Sequence, residues 1–140
     1  MALVTVSLTE IQHDQLLRAL RDWLSYLWGE QRAVEELNPE KSSDPLFGVF
    51  LRQSMHAREI YERVKFSRSF RLSDADMSVV NQAIRRSITF LRGDAADFQA
   101  MGPRHMEYCS ETIDFNQAVA VDRLSHVVRL EALMQAMVSK

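Results

Sequence analysis

The sequence predicts an all-α protein, a compact bundle of four to five helices with a long C-terminal helix near its centre. Apolar residues recur every three or four positions over long stretches, and residues that favour helix starts precede several of these stretches. The chain has four glycines and three prolines, too few for the turns of a many-stranded sheet protein. Its 140 residues, 46% of them hydrophobic, are enough to bury a core, so one domain over residues 1–140 is expected.

The first helix is predicted over residues 8–37. Ser7 and Glu10 fit a capping box, in which each side chain accepts a hydrogen bond from the backbone N–H of the other residue. Val6 and Ile11 have the spacing of a hydrophobic staple around the same start. The apolar positions with helical spacing that follow are Leu16, Leu20, Trp23, Leu27 and Val34.

The second helix is predicted over residues 45–65. Asp44 followed by Pro45 suits an N-cap and a first helical position, because proline lacks the N–H that would be unpaired there. The positions predicted to face inward are Phe50, Ala57, Ile60, Tyr61 and Val64.

The third helix is predicted over residues 74–92. Ser73 is its expected N-cap, with Asp76 three residues later, and Gly93 suits the residue that follows a helix end. The apolar stripe between them consists of Met77, Val80, Ile84, Ile88 and Leu91.

The remaining chain is predicted to form a short helix over 94–101 and a long one over 104–138. Asp114 could act as an internal N-cap, so a break near residue 114 is an alternative to one continuous helix. From Phe115 onward apolar residues cover a wide arc, which indicates packing on several sides. The helical stripe of this segment would comprise Met106, Cys109, Ile113, Ala120, Leu124, Val127 and Met134.

Composition excludes several classes of protein. Cys109 is the single cysteine, so neither an intramolecular disulfide nor a thiolate-rich zinc site can form. The first residues lack the basic region of a secretory signal, and no run approaches the roughly 20 apolar residues of a membrane span. A cytoplasmic protein without membrane contact is therefore expected.

Positive charge is concentrated in the middle of the chain. Residues 52–92 have a net charge of +5, whereas residues 1–51 have −4 and residues 93–140 have −3. Basic residues and phenylalanines alternate from Lys65 to Arg71, and the polar face of the third helix has no acid beyond its first turn. The candidate binding residues are Arg52, Arg63, Lys65, Arg68, Arg71, Asn81, Gln82, Arg85, Arg86 and Arg92.

This basic surface favours a non-catalytic interaction or adaptor subunit that docks a larger, acidic protein partner. Nucleic acid is the alternative ligand, in a small subunit of a ribonucleoprotein or DNA-binding assembly, although the overall pI of 6.1 weighs against it. The arginines could instead pair with the acidic ends of their own chain. A homo-oligomer is a further open alternative, since Tyr26 and Trp28 lie off the first helix's main stripe.

No pattern in the chain indicates a reaction or a cofactor. His56 and Glu59 share a helical face, but the chain has no Glu-x-x-His motif of the kind found in four-helix metal proteins. Cys109 and His105 are four residues apart, yet a cysteine on an apolar stripe is usually a small core residue. We therefore expect a protein that is not an enzyme and that has no metal or cofactor.

Overall fold

A computed structural model describes residues 3–37 and 45–138. Within them, four helices and four short strands follow one another, and the prediction of a mostly helical fold is confirmed. The strands, which form two antiparallel pairs, were not predicted. The elements in chain order are β1 (Val4–Ser7), α1 (Glu10–Leu37), α2 (Pro45–Val64), β2 (Ser69–Leu72), α3 (Asp74–Ala100), β3 (His105–Tyr108), β4 (Glu111–Asp114) and α4 (Phe115–Val138).

The start of α1 differs from the predicted one. Ser7 belongs to β1, and the capping box is formed two residues later by Thr9 and Gln12. The Thr9 N–H donates to Gln12 Oε1 at 3.1 Å, and the Gln12 N–H donates to Thr9 Oγ1 at 3.2 Å. Ile11 is 68% exposed, so the predicted hydrophobic staple is wrong. The predicted Asp44 cap of α2 lies outside the described residues.

Strand β1 pairs with β2 and so joins the segment before α1 to the connection between α2 and α3. Val4 pairs with Leu72 and Val6 pairs with Phe70. Alternation along the strands buries Val6, Phe70 and Leu72 in the core and leaves Arg71 exposed. Half of the basic connection is therefore a strand with one buried face.

Helix α3 continues through Gly93 and includes the segment predicted as a separate helix over 94–101. The helix ends at Ala100 with Met101 as its C-cap, and Gly102, at φ 75°, follows in the left-handed conformation that favours glycine. The prediction of an end at Gly93 is wrong because this glycine keeps a helical backbone instead of reversing the chain.

Replacing Gly93 with alanine tests the continuity of α3. A Cβ at this position would meet no atom within 4 Å, and glycine inside a helix costs about 0.5–1 kcal/mol relative to alanine. We expect Gly93→Ala to raise the free energy of unfolding in urea by about that amount. A loss of stability would instead indicate a left-handed residue that ends the helix.

A β-hairpin replaces the first part of the helix predicted over 104–138. Cys109 and Ser110 link its strands in a two-residue turn, and both have positive φ, 50° and 69°. Asp114 then caps α4, since the Gln117 N–H donates to its Oδ1 at 3.2 Å. The break near residue 114 is thus confirmed, and a continuous helix is wrong. Cys109 is exposed in the turn and is not a core residue.

Helix α3 packs against each of the other three helices, whereas α4 packs mainly against α3 and touches α1 less. The prediction that the last helix is packed on several sides is therefore not met by the described part of the chain. Val121, Leu124 and Val128 on its outer face are 52%, 40% and 66% exposed. The core combines residues of β1, β2 and all four helices, with Leu16, Leu20, Ile60, Ile84 and Leu133 fully buried.

Candidate partner-binding groove

The outer face of α3 is polar, and no acidic residue occurs between Ser78 and Arg92. The capping box of Ser73 and Asp76 begins the helix as predicted. Burial of one apolar stripe then turns the opposite positions toward solvent. The exposed side chains of this outer face include Ser78, Gln82, Arg85 and Thr89.

Two shallow concavities lie end to end along this face, and we call them together the α3 groove. The first has a volume of about 610 Å³ and is lined by Asp74, Met77, Ser78, Asn81, Gln82 and Arg85. The second, of about 580 Å³, lies between α3 and α4, and its walls include Ile88, Thr89, Arg92, Glu131 and Met134. Arg85 lines both concavities and therefore lies at the middle of the groove.

The two arginines of the groove differ in their partners. Arg92 Nη2 donates to Glu131 Oε2 at 3.3 Å, so its charge is largely balanced. Arg85 is exposed and makes no ion pair with any residue in 3–37 or 45–138. An unpaired guanidinium between two concavities can bind an anion without first losing an internal partner.

Arg86 and Asn81 do not share this open position. The Cζ atom of Arg86 lies 3.9 Å from the centroid of the Tyr26 ring, which is itself stacked on Trp23. Arg86 therefore joins α3 to α1 through a cation–π contact and is a packing residue. Asn81 is half-buried, and its Oδ1 has no hydrogen-bond partner among the described residues.

Arg63 belongs to a separate cluster around Asp76. The buried carboxylate of Asp76 accepts hydrogen bonds from His56 Nε2 and Arg63 Nη1, both at 2.7 Å, and from the Ser73 N–H at 3.1 Å. Burial alone would raise the pKa of Asp76, but these hydrogen bonds outweigh it and hold the pKa well below its ordinary value. This cluster joins α2 to the start of α3, so the role of Arg63 within it is structural.

The other predicted residues lie away from the groove's walls. The Lys65 ammonium pairs with Glu62 at 2.5 Å and lies 4.8 Å from the centroid of the Phe66 ring. Arg68 and Arg71 are exposed on or beside β2, and Arg52 folds back over the first turns of α2, its guanidinium close to Gly48. The structure thus brings together Asn81, Gln82, Arg85 and Arg92 and separates them from the remainder of the predicted surface.

Pairing within the chain accounts for part of the basic excess. Arg63 and Lys65 pair with acids of their own segment, and Arg92 pairs with Glu131 of α4. Within the described ranges, Arg52, Arg68, Arg71 and Arg85 have no ion-pair partner. The acidic first third of the chain, as far as the structure describes it, contributes no ion-pair partner to the candidate residues.

Sequence reasoning missed the wall of the groove that α4 provides. Glu131 and Met134 reach the groove because α3 and α4 pack antiparallel, as the pair of Arg123 Nε and Asp94 Oδ2 at 2.8 Å also shows. The absence of acids on the polar face of α3 between Ser78 and Arg92 was the signal that identified the α3 side. No comparable signal marked α4.

Two of the four histidines make side-chain hydrogen bonds within the described chain. His13 Nε2 donates to the Val64 carbonyl at 2.6 Å, and His56 donates to Asp76 rather than sharing a site with Glu59. Over residues 3–37 and 45–138, no group of three His, Cys, Asp or Glu side chains could hold a metal ion. Within the same ranges, no helix combines the length and apolar character needed to span a membrane.

The chain matches no protein-family model, no curated protein and no solved structure. What can be inferred about its function therefore comes from its own residues and geometry.

Proposed function

We propose that this protein is a non-catalytic interaction subunit that binds an acidic segment of a larger protein partner in the α3 groove. The observation that carries the proposal is the position of Arg85, exposed, without an ion-pair partner among the described residues, and shared by both concavities. A guanidinium in this position can form two parallel hydrogen bonds with a carboxylate. The proposal retains a cytoplasmic site of action, an expectation that rests on the sequence alone.

The shape and lining of the groove favour a peptide segment. Both concavities are open and shallow, unlike the enclosed apolar pockets that bind small molecules. Ser78 and Gln82 offer hydroxyl and amide groups to a passing backbone, and Met77 offers an apolar contact. Asp74 repels carboxylates at one end of the groove, and Arg92 at the other end is already paired with Glu131, so an acidic side chain is accepted best in the middle, at Arg85.

Charge reversal at Arg85 is the direct test of this proposal. We expect Arg85→Glu to reduce, by about tenfold or more, the amount of partner recovered with the tagged protein from its native host, because it opposes a carboxylate with another. The matched control is Arg18→Glu, which makes the same charge change on the exposed side of α1. Equal recovery with Arg85→Glu, or an equal loss with Arg18→Glu, would refute the proposal.

Nucleic acid is retained as a second candidate because of one observation. Phe66 is 86% exposed between Lys65 and Ser67, whereas Phe70 is buried, so one of the two phenylalanines is available to stack on a base. The test is fluorescence anisotropy of a labelled single-stranded oligonucleotide at low salt. Binding that weakens steeply with salt and is lost in Phe66→Ala would favour this candidate, and the absence of binding would remove it.

A further inference from the structure

The outer face of α4 is uncharged along its length and is not covered by any described part of the chain. Positions on this face repeat at alternating intervals of three and four residues, the spacing of a coiled-coil seam. All six are exposed and none is charged: Ala118, Val121, Ser125, Val128, Ala132 and Gln135. Leu124, 40% exposed, borders the same seam.

This seam lies opposite the side of α4 that packs on α3. Ala120, Val127 and Leu130 are buried on the inner side. A helix that buries one side and also exposes apolar residues on the opposite side, here Val121 and Val128, is typical of one packed on both. The wide apolar arc predicted for α4 thus has one side packed on α3 and one side open.

We propose that the open side of α4 is covered by the α4 helix of a second copy of this chain, packed antiparallel about a two-fold axis. The axis would pass between residues 126 and 127. This arrangement places Ser125 opposite Val128 of the second copy and Val121 opposite its Ala132. It also overlaps the whole length of the helix, residues 115–138, about 36 Å.

Charges beside the seam favour a second copy in this orientation. Asp122 and Arg129 lie on the same flank of the seam. In an antiparallel pair, this flank faces the same flank of the other helix. With the axis between residues 126 and 127, Asp122 of each copy lies within about 3 Å, along the helix axis, of Arg129 of the other. The dimer thus gains two equivalent ion pairs. Arg129 is exposed and has no ion-pair partner among the described residues.

Asp122 is able to accept this additional partner. Within its own helix it already contacts Arg123 at 2.8 Å and His126 at 3.7 Å, but its side chain remains 54% exposed. On the opposite flank, Leu124 would face the stem of Glu131 from the second copy, which leaves no pair of like charges in contact across the interface.

The dimer is independent of the proposed function, although the two surfaces meet. Ala132 and Gln135 line the second concavity as well as the seam, so a second copy would extend that wall. The first concavity and Arg85 stay open. A variant of Val128 therefore tests the dimer, and a variant of Arg85 tests the groove.

Sedimentation equilibrium of the 140-residue chain tests this inference. We expect a species of twice the 16.2 kDa protomer mass that dissociates on dilution. Val128→Glu should remain monomeric over the concentration range in which the parent dimerises, because the interface would bury two unpaired carboxylates, one from each copy. Val128 is 66% exposed in the protomer, so the variant should keep the parent's helical circular dichroism. A parent that is monomeric throughout, or a dimer that Val128→Glu leaves intact, would overturn the proposal.

Charge exchange tests the antiparallel orientation. Arg129→Asp should weaken the dimer about tenfold, since it replaces two attractions with two repulsions. Adding Asp122→Arg to that variant should restore the parent's dissociation constant, while Arg18→Asp on α1 should leave it unchanged. A double variant no tighter than Arg129→Asp alone would contradict the orientation.

Discussion

Replacing Asp76 with alanine is expected to lower the free energy of unfolding by about 3 kcal/mol, measured by urea denaturation. The substitution removes the acceptor for His56, Arg63 and the Ser73 N–H at once. It therefore breaks the link between α2 and α3 together with one half of the capping box. Because His56 and Arg63 are about one-third exposed, water can replace part of the hydrogen bonding that they lose with the Asp76 carboxylate.

Asp74→Ala is the matched control for this experiment. Asp74 is an exposed acid in the same first turn of α3, so its replacement should cost about 0.5 kcal/mol or less. Similar losses in the two variants would mean that the helix dipole, and not the Asp76 cluster, accounts for the stabilisation.

The low pKa of Asp76 also gives its contribution a pH dependence of known sign. Since folding lowers this pKa below the ordinary aspartate value of 3.8, the stabilisation is complete at neutral pH and is lost as the pH falls below that value. The parent and Asp76→Ala should therefore converge in stability as the solution is acidified. A difference that grows toward low pH would contradict the ionised state of the cluster.

Replacing Ile84 with alanine is expected to lower the free energy of unfolding by about 4 kcal/mol. Ile84 is fully buried on α3, the helix that contacts the other three, so the substitution leaves a cavity at the centre of the core. Urea denaturation under the conditions used for Asp76 measures the loss.

Ile113→Ala makes the same chemical change on the β3–β4 hairpin. Ile113 is half-buried and pairs across the hairpin with Met106, which is 41% exposed. Its replacement should cost about 1 kcal/mol or less. The prediction of one long C-terminal helix placed Ile113 on a buried stripe, so a loss as large as that of Ile84→Ala would favour that helix over the hairpin.

Local signals were enough to predict most of the helices. Ser73 and Asp76 act within one helical turn, and the resulting start of α3 at Asp74 was predicted correctly. Pro45 marked the start of α2 for a similarly local reason, a ring that suits the first helical position.

The errors arose where distant residues decide the structure. Thr9 and Ser7 are both good caps, and the pairing of β1 with β2 excludes Ser7. Met106, Cys109 and Ile113 have helical spacing, but a turn with two residues at positive φ takes them into a hairpin. Nothing at Cys109 or Ser110 announces that turn, because neither is the glycine or asparagine that usually occupies it.

The candidate site was predictable only on the α3 side. Gln82 and Arg85 followed from a run without acids on a polar face. The sequence could not show that Arg86 lies on Tyr26, that Arg63 is held by Asp76 or that α4 forms a wall, because each depends on how helices pack.

The central claim, that the α3 groove binds a protein partner through Arg85, is tested most directly by photo-crosslinking in the native host. A photoreactive residue in place of Thr89, which is exposed in the groove beside Arg85, should form a crosslink to one discrete protein. That crosslink should disappear when Arg85→Glu is added, and it should not form from the exposed position of Ser25 on α1. A crosslink that persists with Arg85→Glu, or none above the level at Ser25, would contradict the claim.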